Sequence, residues 1–114
     1  MTICEDIWND KEQKKIAYPD NPVQRYRELE IDCLINLSSS PYCKDKPFAR
    51  QQMVEKIAPD FPKGVIYVNQ IGGQDELVFD GCSTYVIKAN SNSVYTRILM
   101  DAEDSTATYR IFEF

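Results

Sequence analysis

Val65-Ile66-Tyr67-Val68-Asn69 is an unbroken run of β-branched and aromatic residues, and it constrains the fold of this chain more than any other segment. Such side chains lose rotamer freedom in a helix and fit a pleated surface, so the run predicts a strand. Its lack of alternation predicts one buried on both faces, as in a parallel sheet flanked by helices. A strand of that kind needs neighbours. Ile31 to Leu37 (IDCLINL) supplies one, a short apolar run closed by Ser38-Ser39-Ser40-Pro41. Further strands are expected at the apolar stub before Glu5, at Glu76 to Phe79, at Ser83 to Lys88, near Val94 to Met100 and at Thr108 to Phe112.

Two helices fall between these strands. Asn21 can cap, Pro22 suits the first helical position, and Val23, Tyr26 and Leu29 continue the pattern, which predicts a helix from Pro22 to about Glu30. From Pro47 to Ala58 (PFARQQMVEKIA) apolar residues at 48, 49, 53, 54, 57 and 58 recur three and four apart, an amphipathic helix ended by Pro59. All four glycines lie between 64 and 81, so the sharpest turns are expected around Gly72-Gly73 and Asp80-Gly81. The order is α/β, with a mixed sheet whose last strands form an antiparallel edge. At 114 residues the chain is one domain at most.

The composition excludes many chemistries. There is no histidine, hence no Cys-His or Ser-His pair, no His-containing zinc set and no haem on a proximal His. Thirteen basic against eighteen acidic residues give a net charge of −5, and the densest basic group, Lys11, Lys14 and Lys15, is interrupted by Glu12 and reads as a solvated face. Nucleic acid and anionic membrane, which both need a concentrated positive field, are disfavoured partners. No apolar run reaches the length of a membrane span, and MTICEDIWND lacks the basic and apolar regions of an export signal. A cytoplasmic setting follows. There Cys4, Cys33, Cys43 and Cys82, which show no C-x-x-C spacing, are expected as free thiols.

Cys4 ends the apolar stub just before two carboxylates and an aromatic. In open α/β sheets the carboxyl ends of strands face the ligand crevice, the place for a nucleophile; a buried thiol in a terminal strand is the plainer alternative. In isolation Ser40-Pro41 reads as a turn, Lys46 as a surface lysine and Trp8 as core or pocket. Ile71-Gly72-Gly73-Gln74-Asp75 invites comparison with phosphate loops, but Ile71 and Glu76 stand where such loops carry serines, and the segment reads as a turn.

The order ICEDIW (3–8), LINLSSSPY (34–42) with Lys46, and VIYVNQIGGQDELVFDG (65–81) resembles the glutaminase domain of glutamine-dependent NAD+ synthetases, a branch of the nitrilase (carbon-nitrogen hydrolase) superfamily. The resemblance runs over essentially the whole chain and implies part of an α-β-β-α sandwich. It implies a Cys-Lys-Glu amidase acting on glutamine, which needs no imidazole. Cys4 matches the nucleophile, and the backbone N–H of Glu5 matches a donor to the tetrahedral oxyanion. Ser40 and Lys46 match glutamine-binding positions, where a hydroxyl and a cation suit the α-amino and α-carboxylate groups. Trp8 matches a position flanking that pocket. No metal or cofactor is implied for these residues; ATP and Mg are implied for the family's separate synthetase domain. An oligomer is implied for the full-length family.

The family's Glu base and Lys precede the nucleophile strand, and here only three residues precede Cys4. The expectation is therefore the C-terminal part of a glutaminase domain, residues 1–114, with the upstream half and the synthetase domain absent and the isolated chain inactive. Half a sandwich should also expose a sheet face and be poorly soluble. A non-catalytic interaction fragment that docks onto a synthetase or nitrilase-like partner is one alternative, which co-purification would reveal. An amidase of another substrate is a second, opposed by Ser40 and Lys46.

Overall fold

The computed structural model describes residues 1–8, 20–90 and 93–100. The group Lys11, Lys14 and Lys15 and the strand expected at Thr108 to Phe112 lie outside the described residues. Along the chain come β1 (Thr2–Ile3), a 3-10 turn (Cys4–Ile7), α1 (Pro22–Glu28), β2 (Leu34–Ser38), α2 (Lys46–Ile57), a second 3-10 turn (Ala58–Asp60), β3 (Val65–Asn69), β4 (Ile71–Gln74), β5 (Leu77–Asp80), β6 (Ser83–Asn90) and β7 (Ser93–Met100).

The helices form where the sequence places them, with shifted ends. The Asn21 side-chain oxygen accepts from the N–H groups of Val23 (3.0 Å) and Gln24 (3.3 Å), and Pro22 opens α1. The helix stops two residues short of the expected Glu30, which takes a left-handed φ of 50° as the chain turns away. In α2 the start moves to Lys46, and Pro59 ends the α-helix by passing it into the second 3-10 turn. Its buried stripe is Arg50, Val54 and Ile57, whereas Phe48 is exposed, so a charged residue takes an inward position that the apolar spacing assigned elsewhere. Ion pairing accounts for this, as described below.

Five strands form one mixed sheet in the order β1-β2-β3-β6-β7, and β4 and β5 form a separate two-stranded hairpin. Strands β1, β2 and β3 are parallel; β6 runs antiparallel to β3, and β7 to β6. β2 begins three residues later than expected because Ile31 to Cys33 serve as its approach: the Asp32 carbonyl accepts from the N–H of Lys63 at 2.7 Å, and the Leu34 N–H donates to Gly64 at 3.1 Å. Gly64 has φ 75°, and a Cβ there would sit 2.1 Å from the Val86 carbonyl oxygen, so only glycine lets the chain enter β3 beside β6.

β3 is not buried on both faces. Val65, Tyr67 and Asn69 point inward and are buried, while Val68 is exposed and Ile66 half-buried. The pairing Leu34↔Val65 and Val65↔Val86 lines up an inner apolar row, onto which Ile7, Val23, Val54, Ile57, Ala58 and Phe61 pack. Each fully buried Val, Leu, Ile or Phe among them contributes about 1.5–3 kcal/mol by leaving water. The opposite face carries the row Ile3↔Leu37↔Val68, with accessibilities of 59%, 41% and 39%, and beside it Ile35 at 38%. An apolar sheet face stands open among the described residues.

Candidate active site around Cys4

The parallel register brings three strand ends to one edge of the sheet. Ile3 lies beside Leu37 and Ser38 beside Asn69, so Cys4, the Ser38–Ser40 segment and Asn69 leave the sheet together at its carboxyl end. Cys4 turns there with φ 46°, a left-handed conformation that costs a non-glycine residue about 1–2 kcal/mol. The turn has its own supports: the Ile3 N–H donates to Asp6 Oδ2 at 2.9 Å and the Trp8 N–H to the Glu5 carbonyl at 2.8 Å. Cys4 is half-buried. Glu5 is exposed and stands in the first turn of the 3-10 segment. Trp8 is half-buried against the core.

Ser40 is buried at 8% accessibility and is held through its backbone. Its N–H donates to Asn69 Oδ1 (2.8 Å), and its carbonyl accepts from Asn69 Nδ2 (3.3 Å) and Arg50 Nη1 (3.3 Å). Arg50 also pairs with Asp80, and Asn69 Nδ2 reaches the same carboxylate at 3.5 Å. A charge as enclosed as Arg50 survives only with such a partner, which explains its inward position on α2. The Asn69 N–H donates to Ser83 Oγ at 3.0 Å, joining β6 to the network. Lys46, the first residue of α2, is half-buried and makes no ion pair among the described residues. No hydrogen bond or ion pair joins it to Cys4 or Ser40.

A second group of residues was not singled out by sequence reasoning. Thr2, Asn36, Tyr67 and Thr84 lie opposite one another on four adjacent strands, all buried, forming a polar row across the inner face. Asn36 donates to Thr2 Oγ1 (2.9 Å) and to the Cys4 carbonyl (3.4 Å). Burial pushes the Tyr67 phenol above its ordinary pKa; Ser38, Arg50 and Ser40 pull against that and Cys4 adds to it, so these groups surround the phenol. The Tyr67 hydroxyl, Arg50 Nε and Asn36 Oδ1 make no hydrogen bond. Tyr67, Thr84 and Arg50, with Pro47, Phe48, Gln51 and Cys82, line a cavity of about 180 Å³. The signal was present in the sequence: in alternating strands, Asn36, Tyr67 and Asn69 carry polar groups at inward positions.

The four cysteines form no disulfide. Burial pushes the Cys33 thiol up, opposed by Lys63 and reinforced by Asp32, which makes it a poorer nucleophile at neutral pH. Gly72 and Gly73 do not make a turn. They lie in β4, paired with Phe79 and Val78, and the chain reverses at Asp75-Glu76, with Asp75 at φ 52°. A backbone committed to a β-ladder offers no cradle for phosphate, so these residues do not fit ATP. Among the described residues no three cysteine or carboxylate groups gather to hold a metal, and no helix is long and apolar enough to cross a membrane.

The described chain is an α/β protein with a mixed sheet and a cysteine elbow at the carboxyl ends of its parallel strands. Comparison with known proteins gives it relatives. It is 42% identical over 86 residues to a glutamine-dependent NAD(+) synthetase of Synechocystis and 40% identical over 90 residues to that of Thermotoga maritima, alignments that cover 73% and 75% of this chain. A solved glutamine-dependent NAD+ synthetase of Acinetobacter baumannii, in complex with ADP, superposes with a TM-score of 0.58 at 34% identity, covering 82% of this chain and 18% of that one. No protein-family model matches. The chain is thus homologous to part of the glutamine-dependent NAD+ synthetases, and it spans about 15% of the length of the curated relatives it matches.

Proposed function

We propose that this chain carries the nucleophile of a thiol glutaminase that supplies ammonia for glutamine-dependent NAD+ synthesis, and that it forms the C-terminal part of a glutaminase domain in a cytosolic protein. The observation that carries the reading is the Cys4 elbow: a thiol at a left-handed turn on the carboxyl edge of parallel strands, beside the fixed Ser40 segment, in a chain homologous to synthetases named for their dependence on glutamine. The Cys4 thiolate attacks the carboxamide carbon of glutamine, and the oxyanion accepts from the Glu5 N–H. Collapse of the tetrahedral adduct breaks the C–N bond and releases ammonia, leaving a thioester that water hydrolyses to glutamate and free thiol. Lys46 pairs with the substrate α-carboxylate, Ser40 binds its α-amino group, and Trp8 flanks the pocket.

The proton transfers and the second oxyanion contact come from a Glu and a Lys that the resemblance places outside these residues. ATP and Mg belong to the synthetase reaction and enter no step here. The open row Ile3, Leu37 and Val68 supports the finer fold reading, in which this sheet packs against a second one in an α-β-β-α sandwich. The chain alone is expected to release no ammonia from glutamine. Co-expression with the segment that precedes the homologous region in the Synechocystis relative should restore release, and Cys4→Ser should abolish it. Tight co-purification without ammonia release would favour a non-catalytic docking role instead, and release that survives Cys4→Ser would remove Cys4 from the reaction.

A further inference from the structure

Cys4 holds a backbone conformation that a cysteine does not prefer, and neighbouring groups compensate for it. Asn36 is wholly buried, at 0% accessibility, on the strand next to β1. Its side-chain amide donates one hydrogen to Thr2 Oγ1 at 2.9 Å and reaches the Cys4 carbonyl at 3.4 Å. Thr2, itself buried, is the register partner of Asn36, so the two side chains meet across the parallel pair directly beneath the elbow. The carbonyl belongs to the peptide that links Cys4 to Glu5. Holding its oxygen down onto the sheet fixes the Cys4 ψ and, through the shared peptide plane, the direction of the Glu5 N–H on the opposite side.

We infer that Asn36 is a positioning residue for the Cys4 elbow: its carboxamide, oriented by Thr2, anchors the Cys4 carbonyl and so aims both the thiol and the Glu5 N–H. The claim about the turn stands on geometry alone; its catalytic meaning rests on the reading of Cys4 as the nucleophile. Asn36 touches no substrate in this scheme. It acts by keeping a left-handed cysteine from relaxing to the extended conformation of the strand before it.

The test is carried out on the whole chain, labelled with ¹³C and ¹⁵N. The Cα and Cβ shifts of Cys4 report whether its φ is positive, and the rate of alkylation by iodoacetamide, followed by peptide mapping with exposed Cys43 as the internal reference, reports thiol presentation. Asn36→Leu, matched in size and lacking donors, should move the Cys4 shifts to extended values and change its alkylation relative to Cys43 by about ten-fold. Thr2→Val should do the same in part, and Thr2→Ser, which keeps the acceptor, should behave as wild type. Left-handed Cys4 shifts unchanged in both Asn36→Leu and Thr2→Val would overturn the inference. If Asn36→Leu does not fold, Thr2→Val against Thr2→Ser decides it. Ammonia release that is absent even after co-expression, alongside shifts that move as expected, would sink the glutaminase reading and leave the positioning role standing.

Discussion

Tyr67 sits at the centre of the inner face with a hydroxyl that burial keeps protonated beyond the ordinary range. The consequence for stability has a definite sign. Below pH about 10 the phenol is neutral in both states; above it the unfolded chain ionises first, so stability falls until the pH passes the raised folded value. Tyr67→Phe should shrink that alkaline limb in urea titrations, leaving the part that Cys33 and Tyr85 contribute with the same sign, and at neutral pH it should match or exceed wild type by up to about 1 kcal/mol, because it deletes an unpartnered buried hydroxyl. Asp80→Asn tests the neighbouring pair. It strands the Arg50 charge in a nearly closed site, and urea unfolding should show a loss of about 3–5 kcal/mol. Neither role was legible residue by residue, since a lone Tyr in a strand and a lone Arg in a helix read as ordinary core and surface. Both depend on partners 30 positions away or on adjacent strands.

At the scale of elements, local signals succeeded where the forces were local. Asn21 and Pro22 announced α1 because a cap and a fixed φ act within one turn, and Val65 to Asn69 announced β3 because β-branched side chains act on their own backbone. Gly72-Gly73 misled because glycine permits a turn without requiring one; the ladder to Val78 and Phe79 decided in favour of a strand, and the reversal fell on Asp75-Glu76. Of the residues singled out for the site, Cys4 and Ser40 come to one sheet edge because register, which no short motif encodes, aligns their strands. Gly64 offers the sharpest check at this scale. Gly64→Ala combines a positive φ with a Cβ placed against the Val86 carbonyl, and thermal unfolding should report a loss of about 2–4 kcal/mol.

For the whole molecule the dominant feature is a sheet that is apolar on both faces. Among the described residues the covered side bears Leu34, Val65 and Val86 beside the polar row of Thr2, Asn36 and Thr84, while the open side bears Ile3, Ile35, Leu37 and Val68. A solitary sheet would place polar groups on its open face. Produced alone, the chain should self-associate through that face in sedimentation experiments, and the pair Leu37→Lys with Val68→Lys should return it toward monomer without lowering its melting temperature by more than a few degrees. A monodisperse wild-type monomer would contradict this. The same face also sets how long the molecule lasts. In a cell, exposed aliphatic strands are what chaperones retain and proteases degrade, so the wild-type chain is expected to turn over faster than the variant carrying Leu37→Lys with Val68→Lys, which a pulse-chase measurement would show.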